Sequence, residues 1–93
     1  MILRDGVKLC VQGPITIDNV PAVIKQGDAL FDQPDLVIDL AQVTEVDSSA
    51  ISMLLEWQRK AQGHNQQLYF SNMPKNMNNL AQLYGVSELI SLA

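Results

Sequence analysis

One cysteine and one histidine are all the thiol and imidazole in this 93-residue chain. With Cys10 alone, no internal disulfide can close and no multi-cysteine zinc site can form. Cys10 lies in the apolar run Val7 to Val11 and reads as a small buried thiol rather than a nucleophile. A Ser–His or Cys–His catalytic pair would have to draw on His64. That residue sits in the polar stretch Gln62 to Gln67, a predicted surface turn, so hydrolase chemistry is not expected.

Positive charge is scarce as well. Six Lys and Arg stand against ten Asp and Glu, for a net charge of −4. Binding to a polyanion is driven largely by Lys and Arg displacing counterions, so neither nucleic acid nor an anionic membrane surface is an expected partner. Long apolar runs are missing. The longest, Ala50 to Leu55, is interrupted by Ser52 and closed by Glu56, well short of the roughly 18–20 residues of a membrane span. Arg4, Asp5 and Lys8 leave no uninterrupted apolar core for a signal peptide, and a cytoplasmic location is the expectation. Neither glycine-rich phosphate cradle, G-x-x-x-x-G-K-S/T or G-x-G-x-x-G, occurs. No cofactor and no metal are expected.

What remains is an ordinary globular composition, 47% hydrophobic and 17% charged, in the length of one short domain spanning residues 1–93. A chain of this size buries only about 60% of the surface its unfolded form exposes. Its core is modest, which argues against a large self-contained cleft and favours a module that works against a partner.

Asp5-Gly6 between the β-prone runs Met1–Arg4 and Val7–Val11 predicts a two-residue hairpin. Gly13-Pro14 is expected to break the chain after it. A first helix is predicted from Asp18 or Asn19, with Pro21 in its first turn and Val20, Val23, Ile24 and Phe31 on one side. Gly27 falls in that stripe and weakens it. Leu36-Val37-Ile38-Asp39-Leu40 reads as a strand buried on both faces of a sheet. A second helix is predicted from Asp47-Ser48-Ser49, with Ala50, Leu54, Trp57 and Ala61 at i, i+4, i+7 and i+11, and Ile51 and Leu55 alongside. Arg59 and Lys60 suit its C-terminal dipole, and Gly63 is placed as its C-cap. Gln67 to Phe70 is a short strand. Pro74 opens a third helix with Met77, Leu80, Ala81 and Tyr84 on one stripe, ended by Gly85, and Val86 to Leu92 is expected as a docked turn or short helix. Strands alternating with helices after an opening hairpin predict the α/β class.

The most informative chemistry lies at Val46-Asp47-Ser48-Ser49-Ala50. Asp and Ser at a helix start have a plain structural task, since their oxygens accept hydrogen bonds from unpaired first-turn amides. The same position places two hydroxyls beside the positive end of a helix dipole, where a phosphate would meet free amides. Both readings stand on the sequence. Asp39, Glu45 and Asp47 have aliphatic neighbours, and Asp39 reads as a residue hydrogen-bonded in the sheet. Trp57 and Met77 belong to apolar stripes and are expected in the core. Asn72, Asn76, Asn78 and Asn79 form an uncharged polar face, either solvated or the rim of a contact patch.

The strand Leu36–Leu40 and, starting six residues after Leu40, Val46-Asp47-Ser48-Ser49-Ala50-Ile51 followed by Leu54-Leu55 together resemble the core of a STAS domain, the fold of bacterial anti-sigma-factor antagonists. The segment Asn72-Met73-Pro74 through Leu80-Ala81-Gln82-Leu83-Tyr84-Gly85-Val86, with Leu55-Glu56-Trp57, is similar to the small STAS subunits of Mla phospholipid-transport ABC complexes of Gram-negative bacteria. The resemblance covers nearly the whole chain and is weakest over the first dozen residues. It implies a STAS-like mixed β-sheet with an N-terminal hairpin and packed α-helices. It further implies no enzymatic activity of the subunit's own and a cytoplasmic position on the transporter's ATPase subunit, with the permease as an indirect partner. Such complexes maintain outer-membrane lipid asymmetry, and the small subunit supports assembly and activity of the ATPase. The Mla branch carries a hydroxyl straight after the motif Asp, here Ser48. The antagonists are phosphorylated one position later, here Ser49. This chain has both, and it has Ala50 where most members have Gly.

Two functional expectations follow. In the first, a non-catalytic subunit docks onto the ATPase through Asp47, Ser48 and Ser49, with Leu83 and Tyr84 as apolar anchors, although Tyr84 could equally be core. In the second, an anti-sigma-factor antagonist is switched by phosphorylation on Ser49. A third reading, a small acid/base enzyme using Asp39 and Asp47, requires a ligand-sized pocket and a strongly shifted carboxylate. The second expectation has a direct test. Incubation with a kinase-type anti-sigma partner should add the mass of one phosphate, and Ser49→Ala should abolish it; no mass shift would remove that reading.

Overall fold

A computed structural model describes residues 2–90 of the chain. Its elements run β1 (Ile2–Asp5), β2 (Lys8–Ile15), α1 (Val20–Asp28), β3 (Asp35–Val46), α2 (Ser48–Gly63), β4 (Gln67–Ser71), α3 (Lys75–Leu83) and a 3-10 turn at Ser87–Leu89. The four strands form one sheet in the order β1-β2-β3-β4. β1 is antiparallel to β2, while β2–β3 and β3–β4 are parallel. Parallel neighbours need a crossover, and α1 and α2 supply the two that this order demands. The mixed sheet with an opening hairpin and packed helices agrees with the sequence-based expectation.

Strand alternation puts the core on one face of this sheet. Leu9, Ile38 and Phe70 stand in register across β2, β3 and β4, and all are buried. Leu36 pairs with Leu68 one step along and is buried with it. α2 lays Ala50, Leu54, Trp57 and Ala61 into the same cluster, and the i, i+4, i+7, i+11 stripe is completely buried. Met53 joins it. α1 adds Val23, with Val20 and Ile24 packed at the margin, and α3 adds Met77 and Ala81. Phe31, expected on the same helix as Val23, lies past the end of α1 at Asp28 and packs against the cluster from the following loop. The alternate residues Lys8, Cys10, Val37, Asp39, Tyr69 and Ser71 fall on the opposite face and outside this cluster. A strand buried by apolar packing on both faces was expected at Leu36–Leu40. Instead the second face of β3 is occupied at its centre by a charged network around Asp39. Cys10 shares that second face and is half-buried, not enclosed.

Gly27 turns from a weakness into a fitting. It is buried in α1, and a Cβ built there would overlap the indole of Trp57. The lost helix propensity is offset by letting α1 approach the largest side chain in the core. Phe31 completes the contact, with its ring 5.8 Å from that of Trp57 and tilted by 50°. Lys60 also serves this junction. Its Nζ lies 3.1 Å from Asp28 Oδ1 at the end of α1 and 5.8 Å from the Phe31 ring centre. It therefore ties α2 to α1, beyond any effect on its own helix dipole. Arg59 pairs with Glu56 along the helix surface.

Several boundaries differ from expectation for identifiable reasons. The hairpin turn is Gly6-Val7, because Asp5 still pairs with Lys8, and only Gly6 of the two takes positive φ. Gly13-Pro14 does not end β2. The ladder instead shifts register between Cys10 and Gln12 and again between Gly13 and Pro14, and the strand continues to Ile15. Such bulges accommodate a proline that cannot donate to the ladder. This extension gives Gln42, Val43, Glu45 and Val46 partners on β2, so the connection expected over residues 41–46 is strand. α2 reaches Gly63 and is capped by His64, with Asn65 at φ 55 closing the turn. The amides of Asn65 and Gln66 bond back to Gln62 and Ala61, a pattern that glycine usually fills. Met1, and Ser91 and Leu92 at the end of the expected docked turn, lie outside the described residues; before them Ile90 is buried in the core.

Gly27→Ala tests the close approach. Overpacking of this kind costs about 1–3 kcal/mol, and a lowered urea midpoint with unchanged far-ultraviolet circular dichroism is the expected outcome.

Candidate functional site

Asp47 sits in extended conformation between the end of β3 and the first residue of α2. One of its carboxylate oxygens accepts from the amide of Ser49 at 2.8 Å, the N-cap bond expected of an Asp at this place. The other accepts from the amide of Ile17 at 3.0 Å, in the loop between β2 and α1. A carboxylate that receives two amides is stabilised in its charged form. Its pKa is held below the ordinary carboxylate value, first by the Ile17 amide and then by Ser49, against a partial desolvation that pushes the other way. The capping role of Asp47 and its placement at the helix start were legible in sequence. Its second partner, thirty residues away, was not.

The loop that Asp47 holds is itself braced. Asn19 accepts from the amide of Thr16 at 2.9 Å and donates through Nδ2 to the carbonyl of Pro14 at 2.7 Å. Ile17 is thereby presented to solvent at 73% exposure. Thr16, Asp18, Asn19, Glu45 and Asp47 border a polar hollow on this side of the α2 start.

On the other side of the α2 start lies a second hollow, open and about 380 Å³, lined by Ser48, Ser49, Ile51, Ser52, Leu55, Tyr84 and Val86. Ser48 is exposed and Ser49 half-buried. The structure thus brings Ser48, Ser49 and Tyr84 to one place, while Asp47 borders the hollow on the other side of the α2 start. Ser52 and Leu55 follow Ser48 by four and seven residues, so helical spacing alone could have added them to the set. Val86 could not have been found that way, because the turn at the end of α3 delivers it. That turn has Gly85 at φ +70 with the amide of Val86 bonded to the carbonyl of Ala81. It ends the helix before Tyr84 can reach the core, and Tyr84 is 55% exposed. Leu83 is 77% exposed but outside the lining of the hollow, and Leu89 of the 3-10 turn is 60% exposed. Of these three, Tyr84 stands in the lining beside the hydroxyls of α2, and Leu89 borders a neighbouring hollow that shares Leu55.

Asp39 belongs elsewhere. It lies mid-strand on the sheet face away from the core, only 8% exposed. Its Oδ1 accepts from the amide of Ala41 at 3.0 Å and from Asn72 Nδ2 at 3.1 Å, while Lys8 Nζ stands 3.0 Å from Oδ2. These partners, the Ala41 amide foremost, lower its pKa, and Asp39 in turn raises that of Lys8. Asn72 is held at φ 55 just past β4, so the network also fixes the entry to α3. Asp39 and Asp47 therefore sit in separate environments, each stabilised as an anion. Neither carries the raised pKa that a general acid near neutrality needs. No group of three or more His, Cys, Asp or Glu suited to a metal is present among the described residues. No helix among them is long and apolar enough to cross a membrane. His64 is exposed at the end of α2, far along the chain from the hydroxyl-lined hollow.

A family model described as Mlab, STAS domain matches residues 2–91. Among solved structures, a chain of the Acinetobacter MlaFEDB complex in an ATP-bound conformation superposes with a TM-score of 0.85 at 24% identity, covering 100% of this chain and 99% of that one. The anti-sigma factor antagonist SpoIIAA in its unphosphorylated form gives 0.74 at 14% identity, covering 100% and 86%. The phosphorylated Bacillus SpoIIAA gives 0.65 at 13%, covering 100% and 89%. No curated protein sequence matches closely enough to add a relative.

The lowered pKa values of Asp39 and Asp47 set the sign of a pH effect. An aspartate whose folded pKa lies below the unfolded value of about 3.9 contributes stability above that pH and loses it as the pH falls toward the folded value. Urea midpoints measured from pH 6 down to pH 3 should therefore fall. The fall should be shallower in Asp39→Asn, which keeps an acceptor oxygen but cannot titrate.

Proposed function

The chain belongs to the MlaB-type STAS-domain family, and from that membership we propose that it is a non-catalytic subunit of an ABC-type phospholipid transport system. On this reading it docks on the cytoplasmic ATPase subunit and supports its assembly and activity. The permease is reached only through that subunit, and the outcome served is outer-membrane lipid asymmetry. The observation that carries the reading is the surface at the α2 start. Hydroxyls of Ser48, Ser49 and Ser52 line a hollow bordered by exposed Tyr84, and Leu55 joins it to a neighbouring hollow bordered by exposed Leu89. Aromatic and aliphatic side chains beside a polar rim are the usual anatomy of a protein contact. The full-length match to a chain of the MlaFEDB complex supports the same reading at the level of the fold.

The antagonist reading shares the fold, since SpoIIAA superposes over the whole chain. Ser49, the position it would modify, has its amide committed to Asp47. A phosphate there would stand beside an ionised carboxylate. The exposed hydroxyl directly at the first position of α2 is that of Ser48, the one shared with the Mla branch.

Co-expression with the ATPase subunit of the same genome separates these readings. A stable complex at moderate salt is expected, and Tyr84→Ala or Leu83→Ser should weaken it by at least tenfold without shifting the urea midpoint. Failure of the wild-type chain to co-purify would refute the docking reading.

A further inference from the structure

Ile17 is a large aliphatic side chain, 73% exposed, in a short loop that most proteins would leave polar. Isolated apolar residues on a surface need no explanation. This one differs in how it is held. Its amide is bonded to Asp47 Oδ2, and Asn19 bonds both the amide of Thr16 and the carbonyl of Pro14. The amide of Asp47 adds a bond to the carbonyl of Ile15 on the same approach. The loop is thus rigid before any partner arrives, which spares the ordering cost that a mobile anchor would incur on binding. It is also attached to the residue that precedes Ser48, so Ile17 flanks the start of α2 on one side while Tyr84 flanks the hollow on the other.

The charges around it are unbalanced. Arg4, Lys8, Arg59 and Lys60 are paired with Asp32, Asp39, Glu56 and Asp28. Asp18 and Glu45, which border the hollow beside Ile17, have no cationic partner within 4 Å among the described residues. Asp47 next to them is an anion.

We propose that Ile17 is a second apolar anchor of the docking surface, inserting into an apolar pocket of the ATPase subunit that is rimmed by Lys or Arg facing Asp18 and Glu45. This rests on the docking reading and adds to it the far side of the α2 start and the chemistry of the partner's complementary patch. Asp47 becomes a positioning residue, since it fixes the Ile17 loop against the helix.

Binding of the purified ATPase subunit to the full chain, measured by surface plasmon resonance across a salt series, tests this. Ile17→Ser should raise Kd at least tenfold, mainly through a faster off-rate, while its urea midpoint stays with the wild type. Asp18→Asn combined with Glu45→Gln should slow association and flatten the salt dependence. Tyr84→Ala serves as the reference. If Tyr84→Ala weakens binding while Ile17→Ser leaves Kd within twofold, the anchor is refuted and the docking reading survives. If the Asp18/Glu45 double variant keeps the wild-type salt dependence, the cationic rim is refuted. If the wild-type chain binds nothing, the docking reading itself falls.

Discussion

The carboxylate of Asp47 joins two segments that the chain keeps thirty residues apart. One oxygen starts α2 by taking the amide of Ser49, and the other fixes the β2–α1 loop by taking the amide of Ile17. A neutral side chain with a single acceptor could cap the helix but could not also hold the loop. The positive end of the α2 dipole favours the anion at this point, so capping, clamping and charge reinforce each other. The start of α2 at Ser48 and, together with the Asn19 brace, the presentation of Ile17 depend on that residue.

Behind this start, the body of the protein is set by a limited core. Apolar side chains from the sheet and from all three helices meet on one face, with Trp57 at the centre and Gly27 making room for it. The opposite face is not packed by a second layer. At its centre Asp39 takes bonds from Lys8, Asn72 and the Ala41 amide, which satisfies a nearly buried charge. Short chains leave a larger share of their apolar atoms uncovered. Here that share includes Ile17, Leu83, Tyr84 and Leu89, with Tyr84 beside the hydroxyls of α2.

Much of this was legible before the structure. The helical stripe Ala50, Leu54, Trp57 and Ala61 is buried throughout because helix periodicity and a one-sided core ask for the same residues. Asp47 caps α2, and Pro74 precedes α3, as local chemistry required. The misplacements share a cause. Gly13-Pro14 reads locally as a break, yet partners on β3 carry the ladder across it by bulging. Gly27 reads locally as a helix weakener, yet Trp57 needs its missing side chain. Tyr84 fits the stripe of α3, but the helix turns off at Gly85 before that position can reach the core.

The sequence by itself determined the class of fold, the start of α2, most of the core stripe and the family resemblance carried by the Asp-Ser-Ser element and the C-terminal segment. These depend on contacts within a few residues, where spacing is enough. Tertiary structure alone decided which partners distant residues take. It assigned Lys8 and Asn72 to Asp39, Ile17 to Asp47 and Lys60 to the end of α1. It also decided which apolar residues stay outside. Composition and periodicity record how many such residues exist and which face they share, but only the assembled layers show what is left uncovered.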